Sequence, residues 1–344
     1  MGMRSRLSAV VLVLLVIAAG CAGEPAPARA VEPAAVEGLT TPWSVVFAGG
    51  TPIISERDTG RIVEVDPGGR VREVGVIPGV VASGESGLLG LALRDGHLYA
   101  YSTGADGNRI QRYPLLGAPG SFQLGPGRTL LDRLPAASRH DGGRIAFGPD
   151  GMLHAAVGDA GDSASSQDLS SLGGKILRMT PDGGVPPDNP FPGSLVLSYG
   201  HRNVQGLAWG PDGTLYASEF GQNTWDELNI IRPGANYGWP TVEGIGGAPG
   251  LTDPVQQWPT DEASPSGIAV RGESLYLANL RGERLREVPL RDLGTSTEHF
   301  VGEHGRLRDV AVAPDGTLRV LTSNTDGRGD PAPTDDRMLA FPAP

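Results

Sequence analysis

The chain is 344 residues long, 39% hydrophobic and 19% charged, so it can bury a sizeable core and is not a disordered polyelectrolyte. A formal charge of −11 argues against binding a phosphate backbone, and no nucleic-acid partner is expected. The 52 glycines and 30 prolines, close to a quarter of the chain with no collagen period, argue against helical bundles and point to many short strands joined by turns.

The N-terminal segment reads as an address. Arg4 and Arg6 precede an apolar run from Ala9 to Ala19, and small residues lead to Cys21, the only cysteine. Residues 1–20 are therefore expected to be a lipoprotein signal peptide rather than a spanning helix, with cleavage before Cys21 and acylation of its thiol. The alternative is an ordinary cleaved signal and an incidental thiol. With no second cysteine, no intrachain disulfide can form. Residues 21–38, rich in Ala, Pro and Glu, read as a flexible tether, and the fold is expected over 39–344, outside the cytoplasm and lipid-anchored to the membrane.

From there one unit recurs: a short strand, a turn built on Asp-Gly or an equivalent, and a second strand. Its copies occupy 44–56, 89–101, 144–157, 206–219, 267–279 and 309–321, with third strands at 61–65, 109–113, 175–179, 227–231, 284–288 and 337–341. Six such units predict an all-β fold, a six-bladed β-propeller. Asp150, Asp212 and Asp315 sit in the hairpin turns and are read as structural, not catalytic.

In an antiparallel hairpin, the residues just before the first strand and just after the second lie at one end. Across six blades these positions make one face of the propeller around its central channel. Before the first strands stand Glu85, Arg139, His140, Arg202, Asn203, Arg306 and Arg308; after the second stand Asp159, Asp162, Gly221, Gln222 and Arg281. His140 with Asp159 has the makings of a general base and its orienting carboxylate, the alternative being a histidine that caps a loop. Arginines converging on a channel suit a planar polyanion, the alternative being solvated rim charges. The backbone oxygens around Gly221 and Gln222 are hard donors suited to Ca²⁺. One oddity remains: apart from Lys175, every basic side chain in the Lys and Arg count of 28 is an arginine.

At these residues the sequence resembles the glucose/sorbosone dehydrogenase family, which includes the PQQ-dependent aldose sugar dehydrogenases and soluble quinoprotein glucose dehydrogenases. The likeness rests on Glu85-Ser86-Gly87-Leu88-Leu89-Gly90, His140-Asp141-Gly142-Gly143-Arg144, Leu172-Gly173-Gly174-Lys175, Tyr199-Gly200-His201-Arg202-Asn203, the run from Asn229 to Pro240, and Arg306-Leu307-Arg308-Asp309. The resemblance implies oxidation of an aldose at its anomeric hydroxyl, with PQQ and Ca²⁺ as cofactors and an unknown electron acceptor. It implies that His140 is the base, Asp159 its partner and Arg202 a stabiliser of charge on the reduced cofactor. Glu85, Asn203, Arg281, Arg306 and Arg308 match further cofactor contacts, and the carbonyls of Gly221 and Gln222 match the calcium ligands. Four positions depart from the glucose-oxidising members: Arg281 replaces a lysine, Glu85 a glutamine, Gln222 a proline, and Arg139 an acidic residue before the base. Glucose specificity is therefore not assumed. Two other readings are a metal-dependent lactonase, which needs several Glu, Asp and Asn side chains on one ion, and a non-catalytic propeller that binds a protein or glycan.

Overall fold

Asp95-Gly96 closes the second hairpin as a two-residue loop between paired Arg94 and His97. Both loop residues have positive φ, 48° and 71°, the conformation that makes Asp-Gly the favoured dipeptide there. The turns containing Asp150, Asp212 and Asp315 work differently. Each carboxylate accepts the amide two residues on, from Met152, Thr214 and Thr317.

The computed structural model describes residues 1–2 and 35–341. The chain divides into two units, Met1–Glu32 and Pro33–Pro344, and the fold described is that of the second. The expected signal segment, Cys21 and most of the tether lie outside the described residues. Five antiparallel sheets of four or five strands and one of three follow one another along the chain. Their innermost strands are Pro42–Ala48, Leu88–Arg94, Ile145–Phe147, Val204–Trp209, Pro265–Arg271 and Leu307–Val312. Each lies beside the next, and the sixth lies beside the first, so the ring closes as a six-bladed propeller.

All six expected hairpins and third strands are present. The outer strands were not anticipated, among them Val71–Val76, Val196–Tyr199, Gln256–Pro259 and Thr297–His299; the second blade carries Gln123–Leu124 and Arg128–Leu134 on its third strand instead. The last blade, of three strands, is extended from the other end of the chain. Val36 exchanges backbone hydrogen bonds with Met338, and Leu39 with Asp336, which locks the first residues of the fold onto its last strand. The fold thus already includes Val36, 8% exposed, inside the stretch read as tether.

The core is divided into six apolar clusters, each of which joins neighbouring blades. Ile53 of the first blade packs with Leu88 and Leu98 of the second, for example, and Val45 and Ile54 pack with Leu321 and Met338 of the sixth. At the hub the inner strands meet through polar groups. Arg144 reaches Asp309 at 3.1 Å, Ser44 Oγ at 3.2 Å and the carbonyl of Gln205 at 2.8 Å. Asp309 also accepts the amide of Val45 at 2.9 Å, so blades one, three, four and six share one buried cluster. Gly267 makes room for it, because a Cβ there would stand 1.8 Å from Asp309 Oδ1.

Removing one member of a buried ion pair leaves the other charge without compensation, at a cost of about 3–5 kcal/mol. Asp309→Ala is therefore expected to destabilise the fold by that order, measured by urea unfolding. The double variant Arg144→Met/Asp309→Leu should recover much of the loss, and additive losses would show that the two side chains do not act as a pair.

Candidate active site

The loops that enter the first strands and leave the second strands do gather on one face, and they bring most of the expected residues together. His140 Nδ1 lies 2.7 Å from Asp159 Oδ1. Since a carboxylate only accepts, Nδ1 carries the proton of the pair and Nε2 is left as an acceptor in the neutral ring. Burial would raise the Asp159 pKa, but the hydrogen bonds from His140, the Gly161 amide and Trp239 Nε1 bring it below the ordinary carboxylate value. Trp239 approaches at 2.9 Å on the second carboxylate oxygen, so Asp159 is fixed from both sides.

The backbone of His140 is held as firmly as its ring. Its φ is 58°, rare for a residue with a side chain, and its amide donates to Glu85 Oε2 at 2.8 Å while its carbonyl accepts from Ala160 at 3.1 Å. Gly158 permits this close approach: a Cβ there would lie 1.8 Å from the His140 carbonyl oxygen. Glu85 Oε2 also accepts from Asn203 Nδ2 at 3.2 Å, and Asn203 Oδ1 accepts the Gly142 amide at 3.0 Å. Glu85 and Asn203 thus lock the His140 loop to the fourth blade.

Arg202 follows from the next loop. Its guanidinium lies over the Trp239 ring at 5.5 Å and donates to the Phe220 carbonyl at 3.1 Å. Its own amide is held by Glu219, and its carbonyl accepts the Asp159 amide at 2.9 Å. Burial pulls the Arg202 guanidinium below its ordinary value, against the attraction of Asp159, Glu85 and Glu219.

Beside this group lies a cavity of about 320 Å³. Its wall includes Arg57, Arg281, Arg306, Arg308 and Arg328, the acids Glu85 and Asp141, and the aromatic residues Trp43 and Phe220. Arg281 is exposed, whereas Arg306 and Arg308 are buried and share Asp326, at 3.1 and 3.7 Å. Burial pulls Arg308 down to about 9, and its Nη1 reaches Gln205 and Ser266 at 3.3 and 3.4 Å. Among the described residues, the buried Nε atoms of Arg202, Arg306 and Arg308 have no hydrogen-bond partner. Five guanidinium groups against the acids Glu85 and Asp141 leave the cavity lining net positive.

Gly221 and Gln222 continue from Phe220 along the same loop. The amides of Gln222, Asn223, Thr224 and Trp225 all donate to Glu243 Oε1, at 2.8 to 3.1 Å, and the Gly221 amide donates to Asp226 at 2.8 Å. Among the described residues, no three His, Cys, Asp or Glu side chains are arranged to hold a metal ion, which gives the lactonase reading no support there.

Sequence reasoning missed Trp43, Arg57, Trp239, Glu243 and Arg328. Arg57 obeys the same rule as the others, standing just after the second strand of its hairpin, Thr51–Glu56. Trp239 lay within the motif ending at Pro240, but nothing local tied its indole to Asp159, 80 residues away.

The family model described as Glucose / Sorbosone dehydrogenase matches residues 39–329. Quinoprotein glucose dehydrogenase B of Acinetobacter calcoaceticus is 35% identical over 231 residues, 56% of this chain and 48% of that protein. Aldose sugar dehydrogenase YliI of Escherichia coli is 33% identical over 231 residues, 58% of this chain and 62% of that protein. The match thus spans about half the length of the first and under two thirds of the second. A solved structure, the PQQ-bound form of aldose sugar dehydrogenase from Streptomyces coelicolor, gives a TM-score of 0.86 at 53% identity, over 90% of this chain and 96% of that one. A putative gluconolactonase shares the fold alone, at 16% identity and a TM-score of 0.53. With a family model spanning nearly the whole propeller, the chain belongs to the glucose/sorbosone dehydrogenase family.

Proposed function

We propose that this protein is a PQQ-dependent aldose dehydrogenase, oxidising the anomeric hydroxyl of an aldose to the lactone. The observation that carries the reading is the oriented His140–Asp159 pair beside a cavity walled by five arginines. Two features fit the cofactor. A cavity of this size is within the range of small-molecule sites, and guanidinium groups outnumbering the carboxylates suit a ligand with several carboxylates. When bound, PQQ supplies the hydride acceptor.

The protein's own part is proton handling and orientation. His140 Nε2, left as an acceptor by the Asp159 bond, takes the proton of the sugar hydroxyl as the neighbouring C–H bond gives up its hydride. Asp159 then stabilises the imidazolium. Arg202, its guanidinium braced on Trp239 and Phe220, is placed to offset negative charge that develops on the oxidant's side. Arg281, Arg306 and Arg308 bind carboxylates, while Glu85 and Asn203 keep the base loop in place.

The calcium reading rests on donor chemistry. With the amides of 222–225 committed to Glu243, the backbone groups this turn has left for a cation are carbonyl oxygens, including those of Gly221 and Gln222, and Ca²⁺ takes such ligands. A cation there would act as a Lewis acid toward the cofactor. In the same reading the protein works outside the cytoplasm, anchored by acylated Cys21. Labelling by a lipid precursor, and its loss in Cys21→Ser, tests the anchor.

The activity test uses the chain from Ala22 onward with PQQ, Ca²⁺, a panel of aldoses and an artificial dye in place of the acceptor. Dye reduction with at least one aldose and a cofactor-induced rise in melting temperature are expected; the absence of both would sink the proposal. His140→Ala should lower kcat on the order of 100-fold to 10,000-fold while the cofactor still raises the melting temperature.

Asp159→Asn should have a comparable effect, because an amide can donate to Nδ1 and leave the proton on Nε2. The folded state lowers the Asp159 pKa, so its contribution to stability is complete above the unfolded value of about 3.9 and is lost as pH falls through the folded value. Asp159→Asn is thus expected to flatten the acid limb of melting temperature against pH. An unaltered acid limb would place the titrating group elsewhere.

A further inference from the structure

Lys175 opens the third strand of the third blade, Lys175–Met179, and is 0% exposed. Its ammonium donates to three backbone carbonyls, Ser165 at 2.7 Å, Ser166 at 3.1 Å and Gly173 at 2.6 Å. Three donors thus meet three acceptors. All three of its acceptors are backbone carbonyls, and Asp168 adds only a longer-range attraction. Burial pulls the group down to about 8, which leaves it protonated at neutral pH. In a chain that uses arginine everywhere else, this position calls for a compact tetrahedral donor that a planar guanidinium cannot replace.

The carbonyls it gathers belong to the connection that leads from Asp159 to the third strand. The Asp159 carbonyl accepts the Asp162 amide, and the Asp162 carbonyl accepts the Ser165 amide at 3.1 Å. Ser166 then joins this connection to the neighbouring turn. Its hydroxyl donates to the His201 carbonyl at 2.7 Å, and its carbonyl, shared with Lys175, accepts the Gly200 amide at 2.9 Å. The next residue in that turn is Arg202, whose carbonyl holds the Asp159 amide. One buried charge therefore stands under both segments that bear on the base pair.

We propose that Lys175, with the Ser166 hydroxyl it steadies, is a positioning brace that sets the Asp159 loop against the Gly200–Arg202 turn, so that Asp159 stays in register with His140. The catalytic consequence rests on the dehydrogenase reading; the geometric one does not. Two readouts therefore separate them. In the protein without cofactor, the His140 Nδ1 proton bound to Asp159 is expected to give a low-field proton NMR resonance, assigned by its loss in His140→Ala.

In Lys175→Met that resonance is expected to shift or vanish, and kcat to fall at least about tenfold with the PQQ dissociation constant changed less than about threefold. A resonance left in place overturns the brace, even if the melting temperature drops, since Lys175 would then be merely structural. Should Lys175→Met fail to fold, Ser166→Ala, which removes only the bond to the His201 carbonyl, decides by the same resonance. If the wild-type protein oxidises no aldose, the dehydrogenase reading falls and the resonance alone judges the brace.

Discussion

Six sheets that touch only their neighbours need something at the centre to fix them as a ring, and here it is the Arg144–Asp309 pair. Arg144 enters from the third blade and Asp309 from the sixth, and between them they bind Ser44, Val45 and Gln205 from the first and fourth. The pair also carries the site above it. Arg144 lies 4.3 Å from the centre of the Trp43 ring, and the other end of that contact is the cavity wall. Gln205, whose carbonyl Arg144 holds, presents its side chain to Arg308. The hub and the cavity wall are therefore one connected assembly, joined through Trp43 and Gln205.

The blades were legible because each hairpin states itself locally, in an alternating strand, a turn dipeptide and a second strand. The face that carries the site followed from the same hairpins, since topology alone puts the ends of six of them together. What the sequence could not display is partnership across the ring. Glu85 and Asn203 are 118 residues apart and Val45 and Asp309 are 264 apart, yet both contacts are direct. The outer strands escaped for another reason. Arg128–Leu134 is largely exposed and Val71–Val76 mostly half-buried, so burial imposes little alternation on them, while Val196–Tyr199 is buried but only four residues long, too short to show a period.

Carboxylates explain how an acidic chain builds a positive cavity. Several of the acids on this face are consumed in holding backbone: Glu85 takes the His140 amide, Glu219 those of Arg202 and Asn203, Glu243 four in a row, and Asp226 those of Gly221 and Ser264. Each carboxylate so used fixes a loop and has part of its charge spread over amide dipoles, although Glu85 also stands 3.8 Å from Arg328. Asp326 faces Arg306 and Arg308 together, one acid for two guanidinium groups, while Arg57 has Asp58 at 2.7 Å. The shortfall is a local property that the net charge of −11 conceals.

This division of labour bears on how the site is ready to act. A loop whose amides are tied to buried carboxylates loses little further freedom when a ligand arrives, so less of the binding free energy goes into ordering it. The same holds for the proton acceptor. His140 is fixed at its ring, amide and carbonyl, and its partner Asp159 at both oxygens and its amide. Electrostatic stabilisation is strongest when the groups that supply it are already oriented before charge develops. On this face that orientation is written into backbone contacts between blades, which is why the carboxylates that hold those loops, Glu85 and Glu219 among them, belong to its chemistry as much as the arginines do.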